Sequence, residues 1–381
     1  MSSVQILPPH IFRLGLLEIP FVRSEKHGIV GEGKGFDFAQ SEYTAMAEAI
    51  ERIVASEPDF ARVLPGQSTT QMNRKGLVIP SLEAGTRDLY SDELCIDWAP
   101  GYLYPDRHAW IPAELVWHLY SPLSGFRALD MRQTIGLASG STITEAFTNG
   151  LLETIERDSY AIVMRCRIEC PAVQQEEIDT CGQEISQLLK ELDSKGIDVH
   201  IKWISLDWPI PVAHVLFLDR MDRIPAHSHG CSAGLSPSGA ITRAVLEAVQ
   251  MHEGLARAAS ESWERMAARI ESSHSHPYYA WGDPLFRPHL AHLMNSNSCT
   301  MVPPSHMHNM NCIEELCEWM MDRDHRIFWA QLGTLGGLQV VRVFVEGLVM
   351  PDARLEYLGN RLSIWVDKQK IPGPYTDPIL T

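Results

Sequence analysis

Two segments of the chain share one pattern: TAMAEAIER at residues 44–52 and NGLLETIER at residues 149–157. In each, a glutamate follows a polar residue by four positions, a second glutamate comes three positions later, and an arginine stands directly behind it. Residues three and four apart lie on the same face of a helix. The pattern therefore predicts two helices, each projecting two carboxylates and one guanidinium into one region.

For either segment alone, the plain interpretation is a solvated ion pair, Glu48 with Arg52 or Glu153 with Arg157, which contributes only about 0.3 kcal/mol. The recurrence favours a second interpretation. Carboxylates brought together repel one another unless a cation lies among them, and Mg²⁺ is the cation that carboxylates and phosphate oxygens hold together. The candidate metal-associated residues are Glu48, Glu51, Glu145, Glu153 and Glu156.

Forked guanidinium donors suit phosphate oxygens, and Arg52, Arg157 and Arg243 are candidates for such contacts. Arg243 belongs to a third predicted helix, which begins at Ser236-Pro237-Ser238 with proline in a favoured first-turn position. Glu247 and Gln250 follow Arg243 on the same face. Taken alone, that face is typical of an exposed helix surface.

The surrounding pattern alternates between helical and extended segments, so we expect a mixed α/β chain of the α+β class, with sheets covered by helices. The helices include residues 40–55, a helix from Thr142 capped in register with Glu145, and residues 183–192. The strand candidates are residues 199–206, 212–218, 327–332 and 340–345. We expect a single domain over residues 1–381, with irregular structure at 272–311 and an extended proline-containing tail at 371–381.

Composition restricts the function classes. The 381 residues carry a formal net charge of −16, which argues against a nucleic-acid binder with a general basic surface. The sequence contains neither a signal-peptide pattern nor an apolar run long enough to span a membrane, so a cytoplasmic location is expected. The eight cysteines are then expected to be reduced thiols. The spacing of His and Cys fits no standard zinc motif.

The chain resembles the YcaO family in three ordered signatures. The first is Gly33-Lys34-Gly35 followed by Thr44 to Arg52. The second runs from Thr134 to Gly140 and on through Glu145, Glu153, Glu156, Arg157 and Asp158, and the third runs from Gly230 to Gly234 and on through Ala240, Arg243, Glu247 and Gln250.

This resemblance implies an ATP site lined by glutamate-rich helices, in which carboxylates hold Mg²⁺ and no Walker loop is used. The five glutamates named above would be associated with metal. The implied nucleotide contacts are Lys34, Thr44, Arg52, Arg157, Arg243, Glu247 and Gln250. No single catalytic residue is implied.

The implied activity is ATP-dependent phosphorylation of a backbone amide oxygen in a ribosomally made peptide. Cyclisation by a Cys, Ser or Thr side chain to an azoline is the first choice, and thioamide formation assisted by a TfuA-like protein is the alternative. A third hypothesis is a scaffold that binds a peptide or a partner enzyme without turning over ATP. It is motivated by Thr44, Asn149 and Ala240, which stand where relatives have serine.

The expected partners are a precursor peptide and either an E1-like, leader-binding protein or a TfuA-like protein; a homodimer is also considered. Azoline-forming relatives often end in a Pro-x-Pro-x-Pro tail. This chain has Pro372, Pro374 and Pro378 at a different spacing, followed by three further residues.

Overall fold

The computed structural model of the chain describes residues 4–14, 17–26, 28–81, 91–125, 134–272, 282–295, 310, 312–349, 361–362 and 364–365. Helices and strands are mixed along these ranges, which confirms the predicted α+β class. Within the described part of the chain, no helix is both long and apolar enough to cross a membrane.

Three antiparallel sheets organise the chain. The first contains β1 (Gln5–Ile6), β2 (His10–Leu14), β3 (Leu17–Lys26) and β4 (Ile29–Lys34), with β3 paired to the other three. The second contains β5 (Leu64–Ser68), β6 (Cys95–Leu103), β7 (Arg107–Pro112), β8 (Leu137–Gly140), β12 (Ile327–Leu335) and β13 (Leu338–Val345). Five of these strands lie in the order β5-β6-β12-β13-β8, and β7 pairs with β6. The third has the order β11-β10-β9, formed by β9 (Ile197–Trp203), β10 (Val212–Asp219) and β11 (His227–Ala233).

Helices cover these sheets, as predicted. Their bounds are α1 (Phe38–Ala55), α2 (Thr69–Arg74), α3 (Ala113–Val116), α4 (Ile143–Cys166), α5 (Gln175–Asp179), α6 (Gln183–Ser194), α7 (Pro237–Ser272), α8 (Ala291–Met294) and α9 (Ile313–Met321). Helix α1 packs on β4, α4 packs on β8 and β13, and α7 packs on β11. The predicted site therefore rests on three strand–helix units: β4–α1, β8–α4 and β11–α7.

Two glycines allow these helices to approach their strands closely. A Cβ at Gly31 of β4 would overlap the Ala45 carbonyl oxygen of α1, and a Cβ at Gly230 of β11 would overlap the Ala244 carbonyl oxygen of α7. Only glycine permits such contact between strand and helix backbones. As a result, helix side chains lie within hydrogen-bonding distance of strand N–H groups.

The helix starts follow the capping chemistry of the sequence. The Asp37 side chain accepts from the Gln40 N–H at 2.8 Å at the start of α1. The Thr142 hydroxyl accepts from the Glu145 N–H at 3.1 Å at the start of α4, as the capping register predicted. Helix α7 starts at Pro237, as expected, but continues to Ser272, well beyond the predicted stretch.

Other elements differ from the expectation. The strands of the first sheet, β5 to β8 and β11 were not predicted. The described part of segment 272–311 contains a 3₁₀ helix, Pro284–Leu290, and then α8. Phe286, Leu290 and Leu293 of this part are buried in the hydrophobic core around α4, so burial of apolar side chains orders it. The tail at 371–381 lies outside the described residues.

Candidate active site

In each strand–helix unit, one side chain of the helix forms a hydrogen bond with the strand residue ten positions before it in the sequence. The Lys34 N–H donates to Thr44 Oγ1 at 3.1 Å, the Asn149 side chain donates to the Ser139 carbonyl at 3.1 Å, and Arg243 donates to the Ala233 carbonyl at 2.5 Å. In all three pairs the two residues are ten positions apart. Arg243 therefore occupies the position that Thr44 and Asn149 occupy in the other two units.

One turn further along each helix, a glutamate carboxylate accepts a hydrogen bond from a backbone N–H of the paired strand or of the residue just before that strand. The Glu32 N–H donates to Glu48 at 2.5 Å, and the Cys231 N–H donates to Glu247 at 3.2 Å, both at an offset of sixteen residues. In the second unit, the Gly136 N–H donates to Glu153 at 3.0 Å. The third unit therefore repeats the hydrogen-bonding pattern of the first two. This repeat was not recognised from the sequence, where only the first two segments were matched.

Contacts between the units close the site. Glu51 of α1 accepts from both the N–H and the hydroxyl of Ser139 on β8, each at 2.9 Å. The Lys34 ammonium of β4 donates to the Gln250 amide oxygen of α7 at 2.8 Å. These two contacts join the first unit to the second and the third.

Arg157 joins the second unit to the third. Its guanidinium lies 3.4 Å from Glu156, 3.8 Å from Glu153 and 3.9 Å from Glu247. Although burial opposes its charge, these carboxylates raise the pKa of Arg157. The structure thereby brings residues from all three signatures to one place.

The pKa values of the buried carboxylates at this place are raised. Burial, together with repulsion from Glu153 and Glu48, raises the pKa of Glu51 to about 8, although the hydrogen bonds from Ser139 oppose the rise. Burial likewise raises the pKa of Glu156 to about 8, with Arg157 opposing the rise and Glu247 adding to it. Such shifts show that burial disfavours the charged form of these carboxylates, a cost that a bound cation would offset.

Arg342 is a neighbour of the site that the sequence analysis missed. It is buried on β13, opposite Leu137 of β8, and its positive charge lowers the pKa of Glu153 against the effect of burial. The available signal was a single arginine within the apolar strand LQVVRVFV.

Glu156 is a candidate cation ligand, because one of its oxygens has an ion pair with Arg157 at 3.4 Å but accepts no hydrogen bond from the described residues. That atom, Oε1, is buried. Among the described residues, no three His, Cys, Asp or Glu side chains are already arranged around one metal position. The two observations agree if each Mg²⁺ takes few protein carboxylates and completes its octahedron with phosphate oxygens and water. The residues present therefore fit Mg²⁺ held together with a polyphosphate.

The remaining predicted residues are engaged locally. Arg52 pairs with Glu48 at 2.5 Å and donates to the Val30 carbonyl at 2.8 Å. Glu145 is exposed, and its carboxylate accepts from the N–H and the hydroxyl of Ser141 at 2.8 and 2.5 Å. Within the described part of the chain, neither Arg52 nor Glu145 makes a contact that joins two of the three units.

Protonation of the buried carboxylates gives a pH prediction for the metal-free chain. Because the pKa of Glu51 rises from 4.5 to about 8 on folding, the folded chain binds more protons than the unfolded chain between these values. The contribution of Glu51 to the free energy of unfolding must therefore fall as pH rises through this window. We expect denaturant unfolding in a chelator to show less loss of stability with rising pH for Glu51→Gln than for the wild type.

The matched control is Glu42→Gln, at an exposed position of α1. It should keep the pH dependence of the wild type. An identical dependence in the wild type and Glu51→Gln would contradict the burial of an uncompensated carboxylate at Glu51.

Comparison with known proteins agrees with this geometry. Residues 32–349 match the family described as YcaO cyclodehydratase, ATP- and Mg²⁺-binding. The chain belongs to the YcaO family, and ATP and Mg²⁺ are the cofactors of that family.

Solved structures share the fold. A heterocyclase in complex with substrate and cofactor superposes with a TM-score of 0.77 at 18% identity, covering 97% of this chain and 53% of the heterocyclase. YcaO from Methanopyrus kandleri bound with AMPPCP and Mg²⁺ gives 0.63 at 22% identity, covering 93% and 89%. The E. coli microcin synthetase McbBCD complex gives 0.67 at 18% identity, covering 92% and 88%. The chain thus spans about half the length of the heterocyclase it matches.

Proposed function

We propose that a Cys, Ser or Thr side chain of a ribosomally made precursor peptide adds to a backbone amide, and that the chain uses Mg·ATP to phosphorylate the amide oxygen, whose departure as phosphate completes an azoline ring. The observation that carries the proposal is the meeting of three strand–helix units around Glu51, Glu153, Glu156 and Arg157. Buried carboxylates with raised pKa values beside guanidinium groups suit Mg²⁺ held with a polyphosphate better than they suit an unliganded core.

Each group has a role in this proposal. Glu51, Glu153 and Glu156 would hold Mg²⁺, and Glu48 and Glu145 are the further metal-associated carboxylates of the proposal. The nucleotide contacts come from Lys34, Thr44, Arg52, Arg157, Arg243, Glu247 and Gln250. Bound ATP supplies the phosphoryl group, and Mg²⁺ offsets the charge of its phosphates.

The chain contributes position and charge rather than a nucleophile. The peptide nucleophile adds to the amide carbon, the carbonyl oxygen takes the γ-phosphoryl group, and phosphate then leaves with that oxygen. The guanidinium of Arg157 lies among the carboxylates, where it can stabilise charge on the transferring group. Each ring formed consumes one ATP and releases ADP, phosphate and no free water.

A partner protein that presents the peptide is part of the proposal. Its support is that the structurally similar microcin synthetase is a complex, McbBCD. An E1-like, leader-binding protein is the first choice. A TfuA-like protein would direct the same amide activation toward a thioamide, with sulfide as the nucleophile.

The test is the mass of the peptide after incubation with Mg·ATP, the chain and its partner. A loss of about 18 Da per site supports azoline formation, and a gain of about 16 Da with sulfide supports thioamide formation, since both follow from loss of the phosphorylated oxygen. Unchanged peptide mass without ADP release, when nucleotide binds, would favour a binding scaffold over an enzyme.

A further inference from the structure

One position that holds arginine in the first two strand–helix units holds methionine in the third. In the first unit, Arg52 donates to the Val30 carbonyl, 22 positions before it, at 2.8 Å. In the third unit, Met251 Sδ accepts from the His229 N–H, also 22 positions before it, at 3.3 Å. Arg157 is the equivalent residue of the second unit, because it too stands eight positions after the helix residue that bonds to the strand. The third unit therefore has methionine where the other two have a guanidinium.

The glutamate four positions earlier is paired differently in the first and third units. Glu48 pairs with Arg52 of its own helix at 2.5 Å. Glu247 stands at the same place in α7, but Met251 follows it, and its ion pair is with Arg157 of α4 at 3.9 Å. Among the residues that the structure describes, Arg157 is the one cation within ion-pair distance of Glu247. The second unit thus supplies the guanidinium that the third unit lacks.

Two other basic side chains near Glu247 do not take this role. Arg243 stands four positions before Glu247, but its Nε donates to the Ser232 hydroxyl of β11 at 3.0 Å. Burial, and after it the positive charge of Arg157, lowers the pKa of His229 to about 3, so this imidazole is uncharged at neutral pH. Within the described part of the chain, Glu247 therefore depends on Arg157 for a positive partner.

Packing beside Arg157 directs it toward the third unit. Tyr160 follows Arg157 by three positions, so the two side chains share one face of α4. The Tyr160 ring stacks on the His229 ring of β11, with 5.3 Å between the ring centroids and 4° between the ring planes. Met251 is buried in the same hydrophobic core as Tyr160. The face of α4 that carries Arg157 therefore packs against the third unit.

Arg157 is shared among carboxylates and is not tightly paired with one of them. Its ion pairs with Glu156, Glu153 and Glu247 measure 3.4, 3.8 and 3.9 Å, all longer than the 2.5 Å pair of the first unit. A guanidinium in a close bidentate pair has its donors occupied, whereas a shared guanidinium keeps N–H groups for phosphate oxygens. An arginine in place of Met251 would compete for Glu247 and end this sharing.

We infer that Met251 is a positioning residue: its uncharged side chain leaves Glu247 to Arg157, and so holds the Arg157 guanidinium across the boundary between the second and third units, where it contacts the phosphates of bound nucleotide. This inference rests on the proposed function for the identity of the nucleotide. The pairing of Arg157 with Glu247 does not depend on ATP chemistry.

The test is a double-mutant cycle that moves the arginine from α4 to α7. The affinity for Mg·AMPPCP is measured by calorimetry for the wild type, Arg157→Met, Met251→Arg and the double variant. Ser260→Arg is the matched control, because it adds the same charge at an exposed position of α7, about 14 Å further along the helix. Met251→Lys is used in a parallel cycle, since its unbranched side chain fits the space of methionine more closely than arginine does. Denaturant unfolding of the metal-free chains is measured on the same samples.

In the wild-type background, we expect Arg157→Met to weaken binding of Mg·AMPPCP about tenfold or more, as loss of a hydrogen bond to a charged group commonly does. In the Met251→Arg background the loss should be about threefold or less, because the new guanidinium lies beside Glu247. The Ser260→Arg background should show the full loss. Equal losses in the wild-type and Met251→Arg backgrounds, or an equal rescue by Ser260→Arg, would overturn the inference.

The unfolding measurement separates this inference from the proposed function. A wild-type chain that binds no Mg·AMPPCP would refute the proposed function, and the denaturant midpoints would then decide the role of Met251. Arg157→Met should lower the midpoint less in the Met251→Arg background than in the wild type, because Glu247 keeps a positive partner. Equal shifts of the midpoint in the two backgrounds would overturn the inference whether or not nucleotide binds.

Discussion

Replacing Glu153 and Glu156 together by glutamine is expected to reduce Mg·ATP-dependent ADP release by about 100-fold or more, because loss of even an outer-shell group around a metal commonly costs about 10- to 100-fold. Glutamine keeps the size of each side chain and removes its charge. Among the residues that the structure describes, the neighbouring Arg157 then keeps Glu247 alone as a carboxylate within ion-pair distance. The measurement is ADP release at saturating peptide with Mg²⁺ varied.

The matched control is again Glu42→Gln on α1, which should retain wild-type turnover. Weaker apparent Mg²⁺ affinity in the double variant would accompany the loss. Normal turnover with normal Mg²⁺ dependence would show that α4 does not hold the metal. Denaturant unfolding of the metal-free double variant is the check on folding, because removing two buried carboxylates with raised pKa values and taking two partners from Arg157 act on stability in opposite directions.

The second large effect concerns Asp158, whose replacement by alanine is expected to lower the free energy of unfolding by about 3–5 kcal/mol. Asp158 is 0% exposed and follows Glu156 by two positions, so it points to the opposite side of α4. Its carboxylate accepts from Arg361 at 2.7 Å, from the Trp208 indole at 3.0 Å and from the Val349 N–H at 2.9 Å. Alanine would leave the Trp208 and Val349 donors without this acceptor in the core, whereas Arg361 would keep its bonds to Asp207.

Asp207 provides the comparison, because it bonds the same guanidinium from an exposed position. Asp207→Ala should cost less than about 1 kcal/mol. Denaturant unfolding in the metal-free state measures both. Equal, small losses would contradict a structural role for Asp158. The second signature thus contains residues of two kinds, with Glu153 and Glu156 at the site and Asp158 in the core.

Helical periodicity and capping explain why the site helices could be predicted from the sequence. Thr142 accepts at the start of α4, and the glutamates of α1 and α4 share the faces that their spacing indicated. These features depend on residues a few positions apart. Local pattern is enough to place them.

Long-range contacts explain what the sequence could not predict. The pairing of Glu51 with Ser139 joins positions 88 residues apart, and the contact of Lys34 with Gln250 joins positions 216 apart. No local pattern identifies such partners. Strand β3 was also missed, because its sequence LEIPFVRSEK contains a proline and several charged residues, which strands usually lack. Its extended conformation is stabilised by pairing with three other strands.

The central claim is that carboxylates of α1 and α4 hold the metal that positions ATP. The most direct measurement is a crystal structure of the chain with AMPPCP and Mn²⁺, with the Mn²⁺ positions located by anomalous scattering. The account predicts Mn²⁺ between the nucleotide phosphates and the carboxylates of Glu51, Glu153 and Glu156, with Arg157 beside the phosphates. Nucleotide bound elsewhere, or Mn²⁺ without contact to these carboxylates, would contradict it.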